Sequence, residues 1–240
     1  MDVCVFGAGA VGGYLTARLA RSGRHRISVV ARGHQFEALR AGGLQLSDPQ
    51  GDLDVSFAAV PRWLRTCRPR TVFVTLKAPS LPAVADDLRG LLRPHGFAVF
   101  VSNGIPWWWN HGLDPPTCQV MRVDPEGRLR DRLGADRALG CVVHSANEVV
   151  APGKVVHHAN NRWVLGEPDD TLTPRLTTAV ELLQTAGLGA EISTGLRREI
   201  GIKLLRNAAF NPLCALTRLN AGDLAAAPDL ARSPKACRTR

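Results

Sequence analysis

The sequence predicts an α/β fold with a parallel sheet, and three observations carry the prediction. Apolar, β-branched runs of strand length recur at residues 3–6, 27–31, 71–76 and 97–102. Helix-length segments separate them, and this alternation calls for helices on both faces of a parallel sheet. The first run passes directly into Gly7-Ala8-Gly9-Ala10-Val11-Gly12-Gly13-Tyr14-Leu15, a glycine turn that opens an amphipathic helix.

That opening has the form of a dinucleotide-binding, Rossmann-type turn. Gly7 permits the tight turn, Gly9 lets the backbone approach phosphates without a Cβ, and Gly12 lets the helix pack on the strand. The helix N-terminus offers its N–H groups to the anion. Gly7, Ala8, Gly9, Ala10, Val11 and Gly12 are therefore the expected pyrophosphate cradle. The next strand, residues 27–31, ends at Ala31-Arg32-Gly33 with no acid. A carboxylate there would hold a ribose 2′-hydroxyl and repel a 2′-phosphate, whereas a guanidinium grips the phosphate. Arg32 thus points to NADP(H) as cofactor.

A helix is expected around residues 35–41, then short strands at 44–47 and 54–57. The run Thr71-Val-Phe-Val-Thr-Leu76 reads as a strand buried on both faces, with Lys77 at its carboxyl end. Pro79 and Pro82 open a helix through residues 84–92. The strand at 97–102 carries Asn103-Gly104 at its carboxyl end. Ligands of doubly wound sheets bind outside these carboxyl ends, so Lys77 and Asn103 join the expected site. Two or three more strands are expected between 139 and 165, completing the sheet. The polar segment 166–173 reads as a linker, with Thr173 as N-cap, Pro174 at the first helical position and Gly187 as the stop.

The last strong segment is Arg198-Glu-Ile-Gly-Ile-Lys203-Leu-Leu-Arg-Asn207-Ala-Ala-Phe-Asn211-Pro-Leu. Lys203, Asn207 and Asn211 lie four apart and share one helix face among apolar neighbours. Pro212 is expected to bend or end this helix. Only four of the 30 basic residues are lysines, so the lysine on this stripe stands out in a chain that otherwise writes arginine for surface charge.

Composition narrows the class. With 240 residues, 45% hydrophobic and 21% charged, the chain can bury a proper core as one large or two smaller domains. No apolar run is long enough for a transmembrane helix. The chain enters a strand at once without a basic leader, so a cytoplasmic enzyme is expected. The six cysteines show no Cys-x-x-Cys pair, so neither a metal site nor a disulfide framework is expected. The net charge of +9 is spread along the chain without interleaved aromatics, which favours an anionic cofactor and substrate over nucleic acid. Trp107, Trp108 and Trp109 are read as packing, and His144, His157 and His158 as structural.

Taken in order, the glycine turn, Ala31-Arg32-Gly33, Leu76-Lys77-Ala78, Ser102-Asn103-Gly104-Ile-Pro-Trp-Trp, Gly166-Glu-Pro and Lys203-Leu-Leu-Arg-Asn207-Ala-Ala-Phe-Asn211-Pro-Leu resemble the ketopantoate reductases (2-dehydropantoate 2-reductases). The resemblance runs over nearly residues 2–220. It implies NADPH-dependent reduction of ketopantoate to (R)-pantoate in pantothenate and coenzyme A biosynthesis. It further implies Lys203 as general acid at the 2-oxo oxygen, Asn207 and Asn211 on the substrate's hydroxyl and carboxylate region, and Lys77 and Asn103 beside cofactor and substrate.

The chain departs from the family near its end. Relatives continue into further helices, which supply a serine for the substrate carboxylate and a glutamate near the reacting centre; neither has a matching position here. The expected organisation is an NADP-binding Rossmann-type domain at 1–167, an incomplete all-helical substrate domain at 168–227 and an atypical tail at 228–240. Bare apolar side chains are expected at Leu204, Leu205 and Leu213. NADP(H) binding is expected to persist and reduction to be weak or absent, with ketopantoate, another branched 2-oxo acid, or cofactor binding without turnover as the readings left open. The expected partner is a small-molecule 2-oxo acid, with no nucleic acid, no membrane and a homodimer left open.

Overall fold

The computed structural model describes residues 1–61, 68–113 and 120–226. The chain divides into two compact units, Met1–Leu196 and Arg197–Arg240. In chain order the first holds β1 (Asp2–Phe6), α1 (Ala10–Arg21), β2 (Arg26–Ala31), α2 (Gly33–Gly42), β3 (Leu44–Ser47), β4 (Leu53–Val55), β5 (Ala58–Pro61), β6 (Thr71–Val74), α3 (Ala85–Leu91), β7 (Phe97–Val101), α4 (Arg128–Arg132), β8 (Ala138–Ala151), β9 (Lys154–Gly166), α5 (Pro174–Thr185) and β10 (Gly189–Ile192). From its start at Leu196, α6 (Leu196–Thr217) carries the chain into the second unit, where α7 (Ala221–Ala226) follows.

Among the described residues the strands form one sheet in the order β4-β3-β9-β8-β7-β6-β1-β2-β5, with β10 added on β9. The stretch from β8 to β5 is parallel throughout, and β1, β6 and β7 are buried at nearly every position, as their unbroken apolar runs require. From β1 the chain winds one way to β2 and later the other way to β6. The reversal falls between β1 and β6, and the carboxyl ends of such strands are where sheets of this kind form their ligand crevice.

Several expectations are corrected here. The apolar runs between 139 and 165 form two strands, within the two or three expected; what differs is their length, with β8 and β9 paired as one long antiparallel hairpin. The first two runs merge because β8 continues far beyond the end of its parallel neighbour β7. Of the segment expected as a strand at 54–57, residues 54–55 fall in β4; β5 begins after it at Ala58 and was not foreseen, and the two strands lie at opposite edges of the sheet. The two prolines before α3 make short 3-10 turns, 78–80 and 82–84. The strand β10 was not foreseen.

The polar segment after β9 is held by side-chain hydrogen bonds. Glu167 is buried, and it accepts hydrogen bonds from the Thr173 hydroxyl and from Arg175. Thr173 in turn caps α5 by accepting from the Leu176 N–H. Helix α5 ends as expected at Gly187, whose φ of +75° and the Leu188 N–H to Leu183 carbonyl bond make a Schellman stop.

Residues 12–19 of α1 are buried without interruption. The sheet curls so that β1 and β2 lie against one side of the helix and β3, β4, β8 and β9 against another. One consequence is a buried arginine. The Arg18 side chain pairs with Asp48 at 3.2 Å and donates to Gln50 and to the carbonyls of Ala186 and Gly187. A Cβ on Gly187 would lie 2.6 Å from the guanidinium, so this glycine serves the helix stop and the arginine together. Beside Arg18, the Tyr14 ring stacks on His157 at 4.2 Å, and His157 shares a 2.8 Å bond with Asn147.

The arginines that look scattered in the sequence gather at the starts of the parallel strands. Asp2 pairs with Arg26 and Arg93, Arg93 donates to the Arg68 carbonyl, and Arg137 to the carbonyls of Gly96 and Arg93. They tie down backbone at the edge opposite the crevice. Trp107 and Trp108 are buried, Trp107 edge-on to Phe100 and Trp108 against Gly140, in keeping with the packing expected of them.

In the second unit α6 runs to Thr217, five residues beyond Pro212. The proline removes one hydrogen bond, and of the two outcomes expected of it, a bend or an end, the helix does not end there. Arg218, at φ +58°, follows the helix end, and Asn220 caps α7 by accepting from the Asp223 N–H. Leu204 and Leu205 are exposed and Leu213 is half-buried. Trp63, Cys67, Cys118, Lys235 and the tail at 228–240 lie outside the described residues.

Replacing Arg18 with leucine leaves Asp48 buried and unpaired, a loss of about 3–5 kcal/mol expected in urea unfolding. Burial holds the His157 imidazole below its ordinary pKa, with Asp48 opposing and Arg18 and His158 reinforcing the shift. The unfolded chain then binds more protons than the folded one, so stability falls as pH drops through about 6.5 toward the lowered value. His25 is shifted the same way by burial, the N-terminus and Arg24. Unfolding measured against pH should therefore be less steep below pH 6.5 in His157→Gln than in the parent, with His25 supplying the remainder.

Candidate functional site

The glycine turn is held from three sides. The Gly7 N–H donates to the Val30 carbonyl of β2 at 3.0 Å, and the Gly7 carbonyl accepts from the Thr75 hydroxyl at 2.6 Å. The Thr75 N–H donates to the Phe6 carbonyl at 3.0 Å. Gly7 has φ +112°, a conformation that a Cβ opposes. A Cβ on Gly12 would lie 2.0 Å from the Gly7 carbonyl oxygen and 2.4 Å from the Thr75 hydroxyl. Helix α1 reaches this depth only as glycine. Gly13 repeats the argument on the helix's other side, where a Cβ would meet Val155 at 2.6 Å.

Gly9 is different. It is the N-cap of α1 with an ordinary φ of −77°, and a Cβ there would meet nothing within 4 Å. No side chain caps the helix, and its first turn contains no acid. Helix geometry leaves the N–H groups of Ala10, Val11 and Gly12 without intrahelical acceptors. The result is an open, electropositive helix end of the kind that holds a phosphate.

The other expected residues of the first unit stand along the same edge of the sheet. In the strand register Phe6, Val74 and Phe100 are level, and Gly9, Lys77 and Asn103 each follow them by three residues. Arg32 ends β2 as the N-cap of α2, whose first turn also lacks an acid. Arg32, Lys77 and Asn103 are all exposed. The sheet thus brings the glycine turn, Arg32, Lys77 and Asn103 to one edge.

Lys203, Asn207 and Asn211 belong to the second unit and lie on α6, spaced four apart within one uninterrupted helix. Lys203 and Asn207 are half-buried and Asn211 is exposed. Among the described residues, no group of three His, Cys, Asp or Glu side chains is placed to hold a metal.

Two contributors escaped the sequence reading. Thr75 holds the turn through its hydroxyl, and Gln35 bonds both the Ala8 carbonyl and the Gly153 N–H. A hydroxyl closing an apolar strand run two residues before Lys77 was the available signal for Thr75. Nothing local marks Gln35.

Comparison with known proteins gives consistent relatives. The family described as Ketopantoate reductase PanE/ApbA matches residues 3–170. A 2-dehydropantoate 2-reductase of Mesorhizobium japonicum is 40% identical over 219 residues, covering 90% of this chain and 67% of the relative. A solved protein of Ralstonia solanacearum MolK2 superposes with a TM-score of 0.87 at 35% identity, covering 96% of this chain and 72% of the other. The 2-dehydropantoate 2-reductase structure from Geobacter metallireducens GS-15 gives 0.79 at 25% identity, covering 97% and 71%.

Thr75→Val keeps the side chain's shape and deletes its bond to the Gly7 carbonyl. The expected cost is about 1–2 kcal/mol in urea unfolding; an unchanged midpoint would mean the turn is held without it. Gly12→Ala should cost far more and abolish soluble, folded protein, because the carbonyl it meets is backbone that cannot rotate away.

Proposed function

Because the chain belongs to the ketopantoate reductase family, we propose that it catalyses the NADPH-dependent reduction of ketopantoate (2-dehydropantoate) to (R)-pantoate, the step that serves pantothenate and coenzyme A biosynthesis. The observation that carries the reading on this chain's own geometry is the α1 N-terminus, uncapped and free of acids, with open space above Gly9. A pyrophosphate fits such an end by charge and by room. The residues proposed to hold the cofactor are Gly7, Ala8, Gly9, Ala10, Val11, Gly12, Arg32, Lys77 and Asn103. Arg32 offers a guanidinium to a 2′-phosphate at a helix end with no competing carboxylate, which supports NADPH over NADH.

When bound, the reduced nicotinamide supplies the hydride that goes to the 2-oxo carbon. As the carbonyl becomes an alkoxide, an ammonium aimed at the oxygen lowers the barrier and delivers the proton; that role is assigned to Lys203. Asn207 and Asn211, four and eight residues further along α6, are assigned to the substrate's hydroxyl and carboxylate region, and Asn103 is assigned to substrate binding as well. A basic surface draws both anions toward the chain.

The division into an NADP-binding domain at 1–167, a partial helical domain at 168–227 and a tail at 228–240 belongs to this reading. So do a cytoplasmic location, a small 2-oxo acid as partner with neither nucleic acid nor membrane, and a homodimer as the assembly to look for by sedimentation.

The test is a fluorescence titration with NADPH followed by NADPH oxidation with ketopantoate. Binding and turnover together are expected; binding without turnover on ketopantoate or other branched 2-oxo acids would select a non-catalytic NADPH-binding module instead. Lys203→Ala should lower turnover by about 10²–10³-fold and leave NADPH affinity unchanged. Arg32→Ala should weaken NADPH about tenfold or more with little effect on NADH, measured as the ratio of the two affinities.

A further inference from the structure

Gln35 occupies the third position of α2, where a glutamine ordinarily turns back to bond the N–H at the head of its own helix. Here it reaches outward. Its Nε2 donates to the Ala8 carbonyl at 2.9 Å, and its Oε1 accepts from the Gly153 N–H at 3.1 Å. A carbonyl can only accept and an N–H only donate, so the two partners fix the amide's orientation. One side chain thereby joins three segments: the glycine turn, the first turn of α2 behind Arg32, and the tip of the β8–β9 hairpin.

The bond to Ala8 has a stereochemical consequence. The Ala8 carbonyl and the Gly9 N–H share one planar trans peptide, so they point in opposite directions. Fixing the carbonyl toward Gln35 turns the Gly9 N–H away from α2. Among Gly7, Gly9 and Gly12, Gly9 is also the one that no protein atom crowds. The hairpin end of the strut is itself anchored, because Gly153 packs against Ala38 of α2 and its carbonyl accepts from the Gln45 N–H at 2.9 Å.

We infer that Gln35 is a positioning residue for the dinucleotide: it locks the Ala8–Gly9 peptide so that the Gly9 N–H is presented to the pyrophosphate, and it ties that presentation to the segment bearing Arg32. The inference rests on the cofactor reading above. Gln35 acts through the backbone of Ala8 and touches no reacting atom, so its loss changes cofactor affinity and leaves the chemical step alone.

Two variants separate its bonds. Gln35→Met keeps length and loses both. Gln35→Glu keeps an acceptor for Gly153 but sets a carboxylate oxygen against the Ala8 carbonyl. In both, NADPH affinity and the KM for NADPH should worsen about three- to tenfold, the size of one net hydrogen bond, with kcat within about twofold. Amide exchange in the unliganded protein gives a readout independent of turnover. The Gly153 N–H, which donates to the Gln35 Oε1, should exchange faster in Gln35→Met and keep its protection in Gln35→Glu.

Unchanged NADPH affinity in Gln35→Met overturns the inference, whatever happens to stability. A loss confined to Gln35→Glu also overturns it, since added charge beside the phosphates would then be the cause. A parent chain that binds no dinucleotide overturns the cofactor reading and this inference together, whereas a binding parent with an indifferent Gln35→Met overturns this inference alone.

Discussion

The contact between Gly12 and the turn that precedes it sets the position of everything else in the first unit. With a Cβ only 2.0 Å from the Gly7 carbonyl and 2.4 Å from the Thr75 hydroxyl, no other residue lets α1 descend that far onto β1 and β6. That depth brings Thr75 within bonding distance of Gly7, and so holds the turn in its positive-φ shape. It also sinks the helix until the sheet can close over its far side, where Gly13 admits Val155 of β9. A helix lying higher would leave β8 and β9 nothing to wrap, and the curled sheet would open. Side chains further along α1 then have to satisfy a buried environment all round. Arg18 does so only because Asp48, Gln50 and two carbonyls of the α5–β10 turn converge on it.

How legible this was in the sequence depends on the range of the interaction. Strands buried on both faces announce themselves as continuous apolar runs, so β1, β2, β6 and β7 could be read one at a time. The turn, the α5 cap at Thr173 and the stop at Gly187 are equally local, because each is decided by backbone conformation within a few residues. The hairpin was not legible in its full length. Its polar middle, residues 144–147, interrupts the apolar pattern, since there β8 has left the shelter of β7 and covers α1 with one face only. The burial of Arg18 and Glu167 is not legible for a related reason. Each looks like a surface residue until partners thirty or more residues away, or eight residues away across a turn, enclose it.

The candidate site divides along the same line. Arg32, Lys77 and Asn103 could be assigned to one edge because a parallel sheet brings the carboxyl ends of neighbouring strands level, so position along a strand predicts position in space. Thr75 and Gln35 act on backbone groups and leave no periodic mark. The arginines at the other edge show the converse: spread through the sequence, they become a set because strand starts are also level, and much of the charge is engaged with Asp2 and with carbonyls. The high basicity of the chain therefore has a structural component at one edge, distinct from any attraction for anions at the other.

The three glycines of the turn sharpen what such a motif can say. Gly7 is required by its φ and Gly12 by the carbonyl it would strike. A tight strand-to-helix turn with no ligand at all would demand both. Gly9 answers to neither requirement: its φ suits any residue, and no protein atom lies within 4 Å of its missing Cβ. Selection for the fold alone would leave this position indifferent to alanine. The proposed pyrophosphate supplies the missing reason, since an anion drawn to the N–H groups of α1 must come within van der Waals range of that Cα. Two glycines of the motif thus report on packing, and the middle one carries the information about binding.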